Sequence, residues 1–452
     1  MAKYAVMTAT KMDSDKSKKI VLATFGSFGD IHPYMALALE LKARGHRAVF
    51  ATSDVYREKM VGAGLEFHAL RPDLPRPETP QASEMVAKVM DTRRGAEFLL
   101  KEMFLPPIRE TYEDTLAVAK GADLLISHPL TFTVPLVGEK FGIPWISTVL
   151  APASLFSATD PSIMPHPAWL GPLLRASGPA VNRFFFAVLR KVTEPWFRPL
   201  TRLREDLGLP YRGHPLFSGQ HSSKMVLALF SRVMGEPQPD WPPNTHVTGF
   251  PFYDKKDEAP ISPEISKFLD AGPAPIVFTL GTSAVFIAGE FYRESIKAAK
   301  ALGRRAMLLI GDARNTPKEP LPDGIAAFDY APYGQVFARA CAIVHQGGVG
   351  TTGQALRSGK PTIVVPFNHD QPDNAARVAR AGTSRTVART KYKADFVAAE
   401  LDKLLSNPTY SVRSAEVGKV VEAENGASTA CDLMEQLLES GTQREAELLI
   451  RT

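Results

Sequence analysis

The stretch HQGGVGTTGQALRSGKPTIVVPFNHDQ, residues 345–371, decides how this chain folds. Its front reads as the end of a strand turning sharply into a helix. Its middle, PTIVVPF, is a buried strand, and its end is a polar loop at that strand's C-terminal tip. Gly347, Gly348 and Gly350 allow backbone to approach a ligand closely. A helix N-terminus adds free N–H groups and the positive end of a dipole, which suits phosphate. His345 and Thr351 supply further donors. A tight strand–helix turn needs one glycine, not three, and leaves His345 without a role. At the far end Asp370 and Gln371 set a carboxylate beside a carboxamide, a pair able to hold vicinal hydroxyls. Phosphate at one end and hydroxyls at the other describe a nucleotide sugar.

The same strand–loop–helix rhythm runs outward from this block. KIVLATF, RAVFATS, DLLISH and IPWISTVL near the start, and PIVFTLGTS, RAMLLI and AIVHQG later, are short apolar strands separated by helical stretches. That alternation predicts a doubly wound α/β chain. Residues 20–27, IVLATFGS, are echoed by residues 276–283, IVFTLGTS, so two similar α/β halves facing a cleft are expected. The predicted divisions are a mobile tail at 1–18, an N-terminal domain at 19–250, a Pro- and charge-rich linker at 251–275 and a C-terminal domain at 276–452. A helix is predicted from Pro33 to Arg44. Pro152 to Pro210 reads as a helical insertion whose aromatic Phe184–Trp196 part serves either core packing or an apolar pocket wall.

Composition narrows the class. With 452 residues, 44% hydrophobic and 22% charged, the chain fits two globular domains. A net charge of +5 with scattered Lys and Arg gives no nucleic-acid footprint. Two cysteines, Cys341 and Cys431, exclude a disulfide framework. No apolar run approaches the ~18 residues of a membrane span, and no signal peptide is evident, so a cytoplasmic location is expected. Weak association with a membrane surface, and a monomeric or homodimeric state, are left open. The first glycine loop, GSFGDIHP at 26–33, lacks the GxGxxG dinucleotide fingerprint, and no Walker motif occurs.

The block DYAPYGQVFARACAIVHQGGVGTTGQALRSGKPTIVVPFNHDQPDNAARV, with GSFGDIHPYMALALELKARGH near the start, resembles the signatures of glycosyltransferase family one. That family includes UDP-glycosyltransferases, sterol glucosyltransferases and antibiotic glycosyltransferases. The resemblance implies a GT-B fold, in which two Rossmann-like domains face an interdomain cleft. It also implies inverting, metal-independent transfer, with a nucleotide-sugar co-substrate and no cofactor or metal. Tyr330 stands where the family usually stacks a tryptophan on the base, and Tyr333 replaces a glutamine. His345 and the Gly347, Gly348, Val349, Gly350, Thr351 backbone match the pyrophosphate site. Thr282 matches a phosphate-reaching hydroxyl, and Asp370 and Gln371 match the sugar-binding pair. Gly29, Ser283 and Ala331 complete the donor-binding set. Plant enzymes hold the ribose with a glutamate eight residues after the histidine. Here that place is Gly353, so a dTDP-sugar, lacking the 2′-hydroxyl, stands beside a UDP-sugar as donor.

The acceptor hydroxyl must lose a proton as it attacks, so a positioned base is wanted. Plant and macrolide enzymes have histidine in GHxNP. This chain has GDIHP, as in the sterol and glycopeptide branches, which puts Asp30 in the base position and His32 on the asparagine position. Asp30 could instead cap the helix. His128, ending DLLISH, is the preferred partner of Asp30, and His32 the other. The expected activity is transfer of a hexose from a UDP- or dTDP-sugar to a hydroxyl of an apolar small molecule. The rivals are a nucleotide-sugar epimerase of the same fold and a non-catalytic partner of a transferase.

Overall fold

The computed structural model describes residues 17–76, 79–253 and 261–451, with side chains up to residue 440. The first sixteen residues of the expected tail, and 254–260 of the expected linker, lie outside the described residues.

Two all-parallel sheets carry the chain. The first is built from β1 (Lys19–Ala23), β2 (Arg47–Thr52), β3 (Glu66–Ala69), β4 (Leu124–Ser127), β5 (Trp145–Val149), β6 (Val226–Ala228) and β7 (Thr245–Val247). Its spatial order is β3-β2-β1-β4-β5-β6-β7. The second holds β8 (Ile276–Thr279), β9 (Ala306–Leu309), β10 (Ile325–Phe328), β11 (Ala342–His345), β12 (Thr362–Val364) and β13 (Ser384–Thr386), in the order β10-β9-β8-β11-β12-β13. Both orders reverse direction once, between β1 and β4 and between β8 and β11. Ligands of open α/β sheets bind at such switch points, beyond the strands' C-terminal ends.

The strands read as continuous apolar runs because both faces of each sheet are covered. In β1, Ile20 and Leu22 pack with Ile31, Tyr34 and Leu37, while Val21 and Ala23 face Leu100, Phe104 and Val137. In β8, Ile276 and Phe278 enter one core and Val277 another. Successive side chains point to opposite faces, so a strand buried on both has no room for polar alternation.

Three boundaries differ from the expectation. The first helix spans Phe28–Ala43 rather than starting at Pro33, because Ser27 caps it and Asp30 closes the capping box. The expected linker contains the helix Pro263–Asp270, capped by Ser262, whose Ile265 and Leu269 are buried in the second domain's core. The insertion holds the helices Leu170–Ser177, Pro179–Thr193 and Arg198–Asp206. Phe184, expected in a core or pocket wall, is 72% exposed, because Asn182, Phe186 and Thr193 supply that helix's inward face.

The halves are joined in three ways. The helix Gly426–Arg451 runs back to the first half, where Ala430, Cys431 and Met434 enter the core beside Leu37 and Leu41. Arg44 clamps it through Asp432 at 2.6 Å and Glu435 at 2.7 Å. A shared apolar core sets Phe230, Trp241 and Phe250 against Leu356, Val364 and Val378. Finally, buried Arg377 bridges Asp373 (2.6 Å) and Asp160 (2.5 Å), tying the segment after β5 to the helix Gln371–Arg380.

Candidate active site

Asp30 sits just beyond β1 and His128 just beyond β4, the two strands of the first switch point. Gly26 lets the Asp30 carboxylate fold back: its φ is +133°, and a Cβ there would lie 2.2 Å from Asp30 Oδ2. The Ser27 backbone N–H donates to Oδ2 at 2.9 Å, while Gly29 N–H donates to Ser27 Oγ at 3.2 Å. Oδ1 faces His128 Nε2 at 3.5 Å. His128 is buried, and the Asp30 side chain is 31% exposed. The Leu130 N–H donates to His128 Nδ1 at 3.2 Å, so the neutral ring carries its proton on Nε2, toward Asp30. Helix capping and a place at the cleft therefore coexist in Asp30, with the cap itself supplied by Ser27. His32 goes elsewhere: its ring stacks between Phe28 and Tyr253, with both centroids at 5.1 Å.

The second switch point carries the other half of the candidate site. His345 ends β11 with 1% of its surface exposed, and burial pushes its pKa down to about 3. Its Nδ1 accepts from Gly347 N–H at 3.1 Å, which leaves Nε2–H as the donor of the neutral ring. Gly348 is the N-cap of the helix Val349–Arg357, and no side chain occupies that cap. Gly347 has φ +88°, and a Cβ on it would meet Val364 at 2.7 Å and the Gln371 carbonyl at 3.1 Å. A Cβ on Gly350 would lie 3.6 Å from the Cα of Gly29, so the two helix N-termini meet across the cleft. Thr282 is exposed and Ser283 half-buried in the turn after β8, beside this loop's strand.

Some assigned residues do different work. Tyr330 is 68% exposed, as a stacking residue must be. Tyr333 instead stacks on Phe337 at 4.5 Å and bonds Thr279 Oγ1 at 2.8 Å, so it braces the floor under the glycine loop rather than presenting a face to a base. Ala331 is fully buried in the core, leaving only its backbone for a ligand. Gln371 spends its carboxamide oxygen on the backbone N–H groups of Phe367 (2.8 Å) and Asn368 (3.2 Å), so it retains only the amide nitrogen as a donor. Asp370 is half-buried at the N-terminus of the helix Gln371–Arg380. Burial pushes its carboxyl up to about 7, opposed by a hydrogen bond from Asn374.

Three further residues join the site. Asn374 donates to Asp370 Oδ2 at 2.7 Å and to the Gly347 carbonyl at 2.9 Å, linking Asp370 to the glycine loop. Its spacing four residues after Asp370 on one helix face is a legible signal. Gln346 donates weakly to Thr351 Oγ1 at 3.4 Å and keeps a buried, unpartnered Oε1. His369 has a left-handed φ of +56°. Burial holds its pKa below the usual histidine value, while Asp30 and the Val89 carbonyl pull the other way. Nothing in the sequence marks His369 as a neighbour of Asp30. Gly353, the ribose position of the plant pattern, is crowded: a Cβ there would meet the Phe250 ring at 3.1 Å.

A narrow cavity of about 50 Å³ runs beside His128, lined by Phe132, Leu136, Leu200 and Tyr211 among others. Such a volume holds a small group, whereas drug-sized ligands need roughly 300–1,000 Å³. Another cavity, about 310 Å³, is bounded by Arg377, Arg380 and Arg413 and includes no candidate site residue. Among the described residues no group of His, Cys, Asp and Glu could hold a metal ion. No helix among them is long and apolar enough to cross a membrane.

Two Rossmann-like sheets with their switch points opposed, one carrying an acid–histidine pair and the other a helix N-terminus without a side-chain cap, define a two-domain fold with an interdomain site. Residues 20–155 match the family model "Glycosyltransferase family 28 N-terminal domain", and residues 296–435 match "Erythromycin biosynthesis protein CIII-like, C-terminal domain". The chain is 33% identical over 434 residues to O-mycaminosyltylonolide 6-deoxyallosyltransferase of Streptomyces fradiae, covering 94% of this chain and 98% of that one. It is 28% identical over 451 residues to a sterol 3-beta-glucosyltransferase of Cryptococcus neoformans, of whose length it spans only 27%. Among solved structures, the glycotransferase of kitacinnamycin superimposes with a TM-score of 0.69 at 20% identity, covering 93% of this chain and 99% of that one. Glycosyltransferase VinC, solved with dTDP, gives 0.62 at 19% identity, with 93% and 100% covered. The chain belongs to glycosyltransferase family one and has the GT-B fold. It is a nucleotide-sugar glycosyltransferase acting on small molecules, and these relatives favour neither an epimerase nor a non-catalytic partner.

Proposed function

We propose that this enzyme moves a hexose from a dTDP- or UDP-sugar to a hydroxyl of an apolar natural product or lipid, with inversion and without a metal. The observation that carries the proposal is the meeting of Gly29 and Gly350, which sets Asp30 opposite the open helix terminus after His345. In this reading the acceptor O–H gives its proton to Asp30 Oδ1 as its oxygen bonds the anomeric carbon. The bond from that carbon to the β-phosphate breaks on the opposite face, and the nucleoside diphosphate leaves. His345 Nε2–H, the Gly348–Gly350 backbone and the helix dipole take up the developing charge, work done elsewhere by cations.

His128 orients the Asp30 carboxylate; it has no free ring nitrogen to accept the proton, because Nδ1 is engaged by Leu130 and Nε2 faces Oδ1 as the donor. Asp370 and Gln371 hold the sugar hydroxyls, and Tyr330 stacks on the base. This chain has no carboxylate at Gly353, and the Phe250 ring crowds that position at 3.1 Å, which supports a deoxyribose donor over a ribose one. VinC, whose structure holds dTDP, is a relative in fold that accords with this. The test is a transfer assay with paired dTDP- and UDP-sugars against phenolic, polyketide and sterol-like acceptors, run with EDTA. Transfer with net inversion, faster from dTDP-sugars, is expected. Activity restored only by magnesium or manganese would falsify the metal-free mechanism.

A further inference from the structure

The helix Pro179–Thr193 has three faces instead of the two a surface helix needs. Its inward face holds the buried Asn182, Phe186 and Thr193. A second stripe, at spacings of three and four residues, carries Val181, Phe184, Val188 and Val192, all at least 46% exposed. The third carries Arg183, Arg190 and Lys191, all exposed. The preceding helix, Leu170–Ser177, adds exposed Leu173, and Trp169 at its start is 64% exposed. Isolated surface apolar residues are ordinary, but a continuous stripe of this kind marks an interaction site.

We infer that the face formed by Trp169, Leu173, Val181, Phe184, Val188 and Val192 docks on an anionic lipid surface. The charge pattern selects that occupant. An apolar stripe bordered by arginine and lysine is the signature of a helix lying in the membrane interface. An exposed tryptophan at one end is a typical interfacial anchor. Among the described residues neither Arg183 nor Lys191 makes an ion pair, and both are exposed, so they are available to lipid phosphates. The acidic side chain just after the helix, Glu194, accepts a hydrogen bond from Tyr211 at 3.2 Å.

The position of the stripe gives it a purpose. The same segment runs on into the helix Arg198–Asp206, whose Leu200 and Arg204 line the cavity beside His128. Phe186, on the inward face, packs edge-on with Phe156 (6.1 Å) and Phe217 (6.3 Å). Docking would thus bring the acceptor side of the cleft to the lipid, where an apolar acceptor is concentrated. This last step rests on the apolar acceptor proposed above; the docking itself does not.

The test is flotation of the full-length protein with vesicles of phosphatidylcholine alone and of phosphatidylcholine with phosphatidylglycerol, without donor or acceptor. Binding to the mixed vesicles that weakens with salt is expected. Phe184→Glu/Val188→Glu should lower it roughly tenfold or more. Arg183→Gln/Lys191→Gln should lower it about fivefold per charge removed. Both variants should keep wild-type circular dichroism and wild-type turnover of a water-soluble acceptor. No binding by the wild type, or equal binding by the Glu variant, overturns the inference. A wild-type dimer in light scattering that the Glu variant abolishes, without vesicle binding, would assign the face to a second copy instead. Because no sugar is transferred in this measurement, its failure leaves the proposed reaction standing, and failure of the transfer assay leaves the docking surface standing.

Discussion

Asp30 Oδ1 and His128 Nε2 lie 3.5 Å apart, delivered by the loops after two neighbouring strands, and the ring's other nitrogen is tied to the Leu130 backbone. The histidine can therefore hold and orient the carboxylate but has no site for receiving its proton. Asp30→Asn keeps the shape and the capping contacts while removing the basicity. Turnover should fall roughly 10²-fold or more, with donor affinity little changed. His128→Ala should cost less, and the two losses should not add, since they act on one carboxylate. Steady-state kinetics of the single and double variants decide this; a fully active Asp30→Asn enzyme would remove Asp30 from the base role.

His345 should act as a neutral donor throughout the working range, because burial pushes its pKa down to about 3. His345→Ala should lower turnover by about 10²–10³-fold, the usual consequence of losing one preorganised donor to a developing anion. The wild-type profile of donor binding should show no step from this residue near pH 6.5. Calorimetric titration with free nucleoside diphosphate checks both, and unchanged affinity and kinetics in a folded variant would sink the pyrophosphate assignment.

Asp370 should make donor binding pH-dependent. Its carboxyl, pushed up to about 7, is protonated below that pH in the free enzyme and accepts fewer hydrogen bonds from sugar hydroxyls. The donor KM should rise as pH falls from 8 to 6, and Asp370→Asn should flatten this dependence. Stability runs the other way. The folded value lies above the ~3.9 of an unfolded aspartate, so the folded state binds the extra proton between these values and loses stability as pH rises through them. Asp370→Asn should accordingly raise the melting temperature of the ligand-free protein at pH 8 and change it little near pH 4. A destabilised variant at pH 8 would contradict the burial argument.

Gly353 is a packing position. Gly353→Glu would thrust a Cβ to 3.1 Å from the Phe250 ring, within the core that joins the two halves. Overpacking of this kind costs about 1–3 kcal/mol. The substitution should lower the urea midpoint and fail to improve the KM for a UDP-sugar. A stable variant with better UDP-sugar binding would show that the ring moves aside and that the ribose is read there.

Much of this arrangement was legible in local pattern. The β1 and β8 runs carry the same apolar strand followed by Gly-Ser or Gly-Thr, and that echo reports two similar halves because each must bury a strand on both faces. His345, Gly347 and Gly350 are readable for a related reason: strand, bare turn and helix N-terminus are contiguous, so their geometry is local. The start of the first helix was missed because Pro33 reads as a first-turn residue. The Ser27–Asp30 capping box, set three residues apart, places the start at Phe28. The helix at Pro263–Asp270 was hidden by prolines that mark its entry rather than a linker.

What the chain determines by itself is whatever a few consecutive residues can enforce: strands, caps, the glycine turn and the identity of the groups offered at each strand end. What only the tertiary structure decided is which of those groups meet. His128 is separated from Asp30 by the whole of β2, β3 and their helices, and it arrives because β4 pairs with β1. His32 is two residues from Asp30, yet the helix turns its ring into a stack with Phe28 and Tyr253. Tyr333 and Gln371 hold the expected positions, but Thr279 and the Phe367–Asn368 backbone take up their polar atoms. Sequence proximity sets composition around a site, whereas helix phase, strand pairing and competition for hydrogen bonds set direction, and catalysis depends on direction.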